Sequence, residues 1–216
     1  MSGRRTDAAD FPELPAGAFE KVDAGEDAEF YAEPRLVTHI DAGAIAALTA
    51  FYRRTLPAGG VLLDLMSSWV SHLPGDVAYG AVIGHGMNAG ELAANPRLTR
   101  AFVRDFNDDP TLPVADASVD AAMICVGVQY LQRPLELLTD VARVLRPGAP
   151  IVVSFSNRCF PTKAVAVWRA LDGAGHARLV DIYLRRAGFA ETGVHLLADG
   201  WAGDPLTAVT GRTPAD

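Results

Sequence analysis

The sequence is poor in cysteine, and it has no long apolar run. Its 216 residues include two cysteines, Cys125 and Cys159, which are too few for the disulfide framework of a small secreted domain. No stretch approaches the ~18 apolar residues of a membrane span. The amino terminus has no basic-then-apolar signal pattern. We therefore expect a cytoplasmic protein with no membrane partner.

The chain also lacks an excess of basic residues and any metal-binding motif. Its formal net charge is −7, whereas phosphate binding requires a clustered basic surface. The five histidines lie far apart, and neither H-E-x-x-H nor paired-cysteine spacing occurs. These absences argue against a nucleic-acid partner and against a metal centre.

The composition that remains is typical of a packed globular protein. Half of the residues are hydrophobic and 21% are charged. Proline, glycine and acidic residues are frequent from Met1 to about Asp27, which favours a loose arm. Asp41 is suited to cap a helix that runs to about Thr55. We expect an N-terminal arm and helical cap over residues 1–57 and an α/β domain over residues 58–216.

Short apolar runs alternate with helical periods through most of the chain. This alternation is typical of a doubly wound, Rossmann-like α/β fold, with a parallel sheet covered on both faces. Strands are predicted near 60–65, 78–83, 100–104, 119–126 and 149–155, with a final antiparallel pair at Val194–Leu197 and Leu206–Thr210. Helices are predicted from near Asn88 to Ala94, from Pro134 to Leu145, from Pro161 to about Leu171, and from Ala177 to Ala187.

The loop after the first predicted strand has no glycine. In dinucleotide-binding folds, glycines at this point let the backbone approach the ligand. Here Met66, Ser67, Ser68, Trp69 and Val70 occupy the turn. A serine hydroxyl can replace a lost backbone contact, whereas Trp69 must either turn outward or close over the pocket. The loop is therefore either an altered cofactor site or only the end of a strand.

Several motifs in the second half of the chain carry a family resemblance. They are Leu112-Pro113-Val114, Val119-Asp120, Leu145-Arg146-Pro147-Gly148 and Ala187-Gly188-Phe189. Together they resemble the motifs of class I S-adenosylmethionine-dependent methyltransferases of the type 11 group, over about residues 61–212. Val114 and Val119 stand where that family usually has phenylalanine. The resemblance implies a seven-stranded sheet, mostly parallel with the last strand antiparallel, and S-adenosylmethionine as cofactor.

The resemblance also implies cofactor contacts near the first strand and the second. Asp64 matches the acid that helps to hold the methionyl amine of the cofactor, and Met66, Ser67 and Ser68 follow it in the loop. His85 stands where the family usually places an acid that bridges the ribose hydroxyls. Each of these two residues also has a structural interpretation: Asp64 as a turn cap and His85 as a hydrogen-bonded core histidine.

Further contacts are expected on either side of the adenine. The Asn88 amide is a second candidate for the ribose, and Met87 would pack against adenine or fill the core. Asp105 matches the family's acid near the adenine amino group, with Phe106 beside the ring. An Asx turn is the alternative interpretation of Asp105.

Substrate contacts are expected after the fourth and fifth strands. Gln129 and Tyr130 follow the fourth strand, either facing the substrate or starting a helix. Asn157, Arg158 and Lys163 follow the fifth strand and are suited to orient an anionic or carbonyl-bearing substrate, although Ser156 or Asn157 could instead serve as caps. From the remainder of the chain, Arg35 and Trp69 are the other predicted substrate contacts.

Three residues are candidates for a general base. Transfer to an oxygen or nitrogen acceptor requires removal of a proton, and Tyr31, His39 and His72 have suitable chemistry. Tyr31 and His39, with Arg35, are expected to form a lid over the crevice. Each of the three also has a structural alternative.

The sequence thus predicts a transferase that uses S-adenosylmethionine to methylate a small molecule, as a monomer or homodimer. Two alternatives remain open. One is an enzyme that directs attack to another carbon of the sulfonium, and the other is a degenerate domain that serves in protein interaction.

Overall fold

A computed structural model describes residues 10–215 and confirms the predicted α/β class. Its strands are β1 (Val61–Leu65), β2 (Ala81–Gly86), β3 (Arg100–Val103), β4 (Ala121–Cys125), β5 (Pro150–Ser156), β6 (Ala190–Ala198) and β7 (Leu206–Arg212). Its α-helices are α1 (Asp27–Phe30), α2 (Ala42–Thr55), α3 (Ala89–Ala94), α4 (Pro134–Val144), α5 (Ala166–Arg169) and α6 (Gly173–Arg186). In this part of the chain, none of the helices has the length and apolar character needed to cross a membrane.

The seven strands form one sheet in the order β3-β2-β1-β4-β5-β7-β6. The pairs among β1 to β5 are parallel, whereas β7 runs antiparallel to both β5 and β6. The predicted seven-stranded sheet with an antiparallel last strand is therefore confirmed. Because β1 to β5 are parallel, their carboxyl ends meet along one edge, which is where ligands bind in open α/β sheets.

The sheet buries a separate apolar core on each face. Alternate residues of a strand point to opposite faces, so Leu63 lies in one core and Leu62 in the other. The first core includes the apolar faces of α4 and α6, with Leu138 and Leu184 fully buried. The second core includes α2, where Tyr52 is fully buried. The two cores give the sheet a helical layer on each face.

Several helix and strand ends differ from those predicted. β2 begins at Ala81 rather than 78 because the amide of Gly80 bonds back to the Gly59 and Gly60 carbonyls. The predicted helix from Pro161 is wrong over most of its length. The backbone amides at positions 165 to 167 donate to carbonyls of Gln129, Glu20 and Ala18, so only Ala166–Arg169 is helical.

The N-terminal segment is packed where the structure describes it. Residues 1–9 of the predicted loose arm lie outside the described residues, but Phe11 and Phe19 are buried. Their rings lie 5.2 and 6.2 Å from the Tyr183 ring of α6. The expectation of a loose arm is therefore wrong for residues 10–27, because two aromatic side chains anchor the segment to the core.

A buried lysine fastens the next part of the arm to the loop after β5. Lys163 is 1% exposed, and its Nζ donates to the carbonyl oxygen of Gly25 at 2.8 Å. The same nitrogen lies 3.1 Å from Oδ2 of Asp23 and 3.2 Å from Oδ1 of Asp27. Lys21 forms a second ion pair with Asp27. Removing one partner from a buried charge that is paired in this way lowers the stability of the fold strongly.

We expect Lys163→Met to lower the free energy of unfolding by about 2 kcal/mol or more, because the buried carboxylate of Asp27 and the partly exposed carboxylate of Asp23 lose a cation. The control is Arg53→Met, which breaks the exposed Arg53–Asp76 pair and should change stability by less than about 0.5 kcal/mol. Urea titration measures both. Equal losses for the two variants would contradict a structural role for Lys163.

Candidate functional site

A cavity of about 520 Å³ lies at the carboxyl ends of β1 to β4. Met66, Gly86, Asp105 and Val126 line it from the ends of these strands or the positions just after them. The arm contributes further lining residues, including Tyr31. The volume lies within the range of small-molecule sites.

The backbone is strained at two points of the cavity wall. Met66 has φ = 55° and Val126 has φ = 45°, both in the left-handed region that favours glycine. Met66 thus adopts a glycine-like conformation without being glycine. Its amide donates to Nδ1 of His85 at 3.1 Å, and the amide of Ser67 donates to the His85 carbonyl oxygen at 2.6 Å. Strain of this kind is found at functional sites that the surrounding structure holds in place.

The first loop lies so close to the end of β2 and to the segment after β4 that two positions facing it must be glycine. A Cβ on Gly86, at the end of β2, would lie 2.5 Å from the Ser67 carbonyl oxygen. A Cβ on Gly127, after β4, would lie 2.7 Å from Cβ of Met66. The glycines that the first loop lacks are therefore required on the two segments that face it.

His85 has a structural environment. Its Nδ1 accepts from Met66, and its Nε2 donates to the Arg104 carbonyl oxygen at 2.8 Å. The ring stacks on Phe106 with centroids 3.7 Å apart. Burial lowers the pKa of His85 to about 4, so the imidazole is neutral near pH 7. With both nitrogens engaged, His85 holds the first loop against the end of β3 and leaves no free nitrogen for a ribose.

Asp64 lies below the loop and not on the wall of the large cavity. It lines a smaller chamber of about 40 Å³, together with His39 and His72. Its Oδ2 accepts from Oγ of Ser67 at 2.6 Å. Burial raises the pKa of Asp64 to about 7, although hydrogen bonds from Ser67 and Ser71 act in the opposite direction. A contact from Asp64 to the cofactor would therefore run through this chamber or through Ser67.

Ser68 and Trp69 link the first loop to the arm, Ser68 through Glu91 of α3 and Trp69 directly. Oγ of Ser68 donates to Oε2 of Glu91 at 2.6 Å, and the amide of Arg35 donates to Oε1 of Glu91 at 2.6 Å. The indole nitrogen of Trp69 donates to the Val37 carbonyl oxygen at 3.0 Å. Trp69 thus turns outward and holds the arm, which decides between the two orientations left open by the sequence.

Two asparagines also join the arm to the sheet. Nδ2 of Asn88 donates to the carbonyl oxygens of Tyr31 at 3.0 Å and Ala32 at 2.9 Å. Nδ2 of Asn107 donates to Oδ2 of Asp27 at 2.9 Å. The amide of Asn107 donates to Oδ1 of Asp105 at 2.8 Å, and burial raises the pKa of Asp105. The edge of the cavity at β3 is thus rich in carboxylates.

Aromatic side chains also line the cavity. The Phe160 ring lies 6.0 Å from Tyr130, 6.4 Å from Tyr31 and 5.6 Å from His39. Burial raises the pKa of Tyr130 to about 12 and also raises that of Tyr31, so both phenols keep their protons. Burial lowers the pKa of His39, which leaves a neutral imidazole.

The structure brings most of the predicted site residues together. The large cavity is lined by Tyr31, His39, Met66, Ser67, Ser68, His85, Met87, Asn88, Asp105, Phe106, Tyr130 and Arg158. His72 lines only the smaller chamber, and burial lowers its pKa to about 4. Asp64 lies there as well.

Four predicted substrate contacts line neither space: Arg35, Trp69, Gln129 and Asn157. The Arg35 guanidinium lies over the Phe30 ring at 4.5 Å. Gln129 is buried and donates to the Val126 carbonyl oxygen, and Asn157 is exposed. The two cations predicted to orient an anionic substrate, Arg158 and Lys163, have separate partners. Arg158 donates to Oδ1 of Asp204 at 2.8 Å, and Lys163 is enclosed by the arm.

Several residues that line the cavity were not predicted from the sequence. They include Asp27, Asp41, Glu91, Asn107, Phe160 and Asp204. A local signal exists for Glu91, which lies three residues after the helix cap Asn88. Asp204 has none, because only the fold brings it to Asp41, where each side chain accepts from the other's amide. Within residues 10–215, three or more His, Cys, Asp or Glu side chains are nowhere grouped to hold a metal ion.

Comparisons with known proteins agree with the resemblance found in residues 112–148. A family model described as a methyltransferase domain matches residues 76–153, beyond the glycine-free loop. The malonyl-[acyl-carrier protein] O-methyltransferase of Methylococcus capsulatus is 32% identical over 90 residues, which cover 39% of this chain and 33% of the relative. The chain thus spans about a third of that curated relative.

Solved structures share the fold at low sequence identity. Phosphoethanolamine N-methyltransferase 2 of Haemonchus contortus, in complex with S-adenosyl-L-methionine, has a TM-score of 0.56 at 12% identity, over 78% of this chain and 52% of the other. An S-adenosylmethionine-dependent methyltransferase of Mesorhizobium loti has a TM-score of 0.54 at 17% identity, over 77% and 97%. The [4+2]-cyclase SpnF has a TM-score of 0.58 at 17% identity, over 78% and 81%.

The raised pKa of Asp64 predicts how stability depends on pH. The folded state holds a proton on Asp64 up to about pH 7, whereas the unfolded state releases it near pH 4. This contribution is complete at low pH and is lost as pH rises through the folded pKa. Asp64→Asn should therefore gain stability relative to wild type between about pH 5 and pH 8, by about 3 kcal/mol.

Urea titrations at both pH values measure this change. Asp76→Asn is the control, because the exposed Asp76 has a lowered pKa and its effect should be equal at the two pH values. A pH-independent effect of Asp64→Asn would contradict the raised pKa.

Proposed function

We propose that this chain, which shares its fold and its central sequence with the class I S-adenosylmethionine-dependent methyltransferases, methylates a small-molecule acceptor. The observation that carries the proposal is the cavity at the carboxyl ends of β1 to β4. Asp105 and Phe106 line it after β3, and His39 lines it together with the aromatic side chains of Tyr31, Tyr130 and Phe160. A cavity of this size and lining suits a nucleoside cofactor with an acceptor beside it.

The residues present fit the cofactor at the β3 edge. Phe106 stacks on His85 and also lines the cavity, where its apolar ring suits adenine. Oδ1 of Asp105 accepts a hydrogen bond from the backbone amide of Asn107. Because a carboxylate has about four acceptor sites, Asp105 can also accept from an adenine amino group. Ser67 and Ser68 add hydroxyls at the first loop. These four residues, with Met66, are the ones that we propose hold the cofactor.

The aromatic part of the lining favours a neutral or cationic acceptor with a flat apolar face. Tyr31, Tyr130 and Phe160 supply aromatic surface. Five carboxylates line the cavity, whereas Arg158 is its one lining cation among the described residues and is paired with Asp204. This charge balance disfavours an anionic acceptor. The malonyl group named for the Methylococcus relative is therefore not the acceptor that we propose.

When bound, S-adenosylmethionine supplies an activated methyl group on its sulfonium. The protein's own contribution is then to align the acceptor and to take up any proton that it releases. His39 is the best placed of the three predicted bases, because it lines both the cavity and the smaller chamber. Its lowered pKa keeps the imidazole neutral and able to accept a proton. Tyr31 remains protonated and would act as a hydrogen-bond donor.

Calorimetry with S-adenosylmethionine and S-adenosylhomocysteine tests the cofactor assignment. We expect both to bind, and Asp105→Asn to weaken binding about ten-fold or more, because a charged acceptor is lost. Asp199→Asn is the control, since the cavity lining does not include Asp199. Absence of binding at millimolar cofactor would contradict the proposal. Release of methylthioadenosine on turnover would instead indicate attack at another carbon.

Removing the proposed base should impair turnover and spare cofactor binding. With catechol or tyramine as the oxygen acceptor, we expect His39→Ala to lower kcat about 100-fold or more. The wild-type rate should fall as pH drops below the lowered pKa of His39. The measurement is release of S-adenosylhomocysteine across pH.

The matched control is His195→Ala, on β6, where Nε2 contacts the Thr210 hydroxyl. This variant should retain the wild-type pH profile. A His39→Ala enzyme with unchanged kcat and pH profile would remove His39 from the reaction.

A further inference from the structure

The end of β2 carries no side chain that can bind a ribose. Gly86 occupies the last position of the strand, and a Cβ there would lie 2.5 Å from the Ser67 carbonyl oxygen. His85 has both ring nitrogens engaged, by Met66 and Arg104. The first loop thus excludes an acid from the position where nucleotide-binding α/β folds commonly place one.

Asn88, the next polar side chain, is also fully engaged. Its Oδ1 accepts from the amides of Gly90 at 2.9 Å and Glu91 at 3.1 Å. Both of its Nδ2 hydrogens are used, by the carbonyl oxygens of Tyr31 and Ala32. Binding of a diol by Asn88 would require breaking the cap of α3 or releasing the arm.

Glu91 is the carboxylate that remains beside β2. It lines the cavity, is half-buried and lies on the first turn of α3. Ser68 and the amide of Arg35 each donate to a different oxygen of it, both at 2.6 Å. These two bonds fix the carboxylate and occupy about half of its acceptor sites. A carboxylate held in this way is prepared to accept two further hydrogen bonds.

The other cavity carboxylates have different partners or positions. Asp27 is paired with Lys21 and Lys163. Asp41 and Asp204 accept from each other's backbone amides. Asp105 lies after β3, beside Phe106. None of these four lies on the β2–α3 segment.

We infer that Glu91 accepts hydrogen bonds from the vicinal ribose hydroxyls of the cofactor, in place of an acid at the end of β2. This inference rests on the proposed use of S-adenosylmethionine. It also assigns a function to the hydroxyl of Ser68, which positions the Glu91 carboxylate. Cofactor binding is thereby coupled to the arm, because the amide of Arg35 shares the same carboxylate.

The test compares S-adenosylhomocysteine with its 2′-deoxy analogue by calorimetry. Wild type should bind the 2′-deoxy analogue at least about ten-fold more weakly, because a hydrogen bond to a charged acceptor is lost. Glu91→Gln, which is isosteric, should bind S-adenosylhomocysteine at least about ten-fold more weakly and discriminate between the two ligands by less than about two-fold. Circular dichroism and a thermal melt establish that the variant is folded.

Asp105→Asn is the matched control. It removes a different cavity carboxylate, so it should weaken both ligands equally and keep the wild-type ratio. A Glu91→Gln variant that keeps the wild-type ratio overturns the inference and leaves the proposed function intact. Failure of the wild-type protein to bind S-adenosylhomocysteine overturns both. If Glu91→Gln does not fold, Ser68→Ala replaces it, and an unchanged ratio in Ser68→Ala together with unchanged affinity overturns the inference.

Discussion

The approach of the Ser67 carbonyl oxygen to Gly86 is the contact on which the site depends. It leaves no room for a Cβ at the end of β2 and places the first loop directly against the second strand. Met66 reaches this position with a left-handed backbone that glycine would adopt more readily. The close packing moves the need for glycine to Gly86 and Gly127. It also removes any acidic side chain from the strand end, so the carboxylate beside β2 comes from α3.

The loop that forms this contact also organises the arm. Glycines would offer only backbone, whereas Ser68 and Trp69 present side chains that hold residues 35 and 37 through Glu91 and a direct hydrogen bond. Asn88 and Lys163 fasten the arm at two further points. Tyr31 and His39 lie on the arm, so the composition of the cavity depends on these fastenings. A stability change at Lys163 would therefore also affect the geometry around His39.

Local patterns predicted the framework of this fold well. Asp41 caps α2, and Pro134 starts α4 in the first helical position, because both effects act within a few residues. The ordered motifs from Leu112 to Gly148 led to the seven-stranded sheet.

The segment after Pro161 was predicted incorrectly because its amides donate to distant carbonyls of Gln129, Glu20 and Ala18. Phe11 and Phe19 likewise become anchors only through Tyr183, which lies far along the chain. The same holds for the site: Asp105 and Phe106 follow β3, as the sequence pattern indicated, whereas Glu91 and Asp204 reach the cavity through tertiary contacts.

A crystal structure with S-adenosylhomocysteine tests the central claim most directly. We expect ligand density in the large cavity, with adenine beside Phe106 and Asp105 and the ribose hydroxyls at the Glu91 carboxylate. Density in which the ribose hydroxyls contact His85 or Asn88 instead, or a ligand bound outside this cavity, would contradict it.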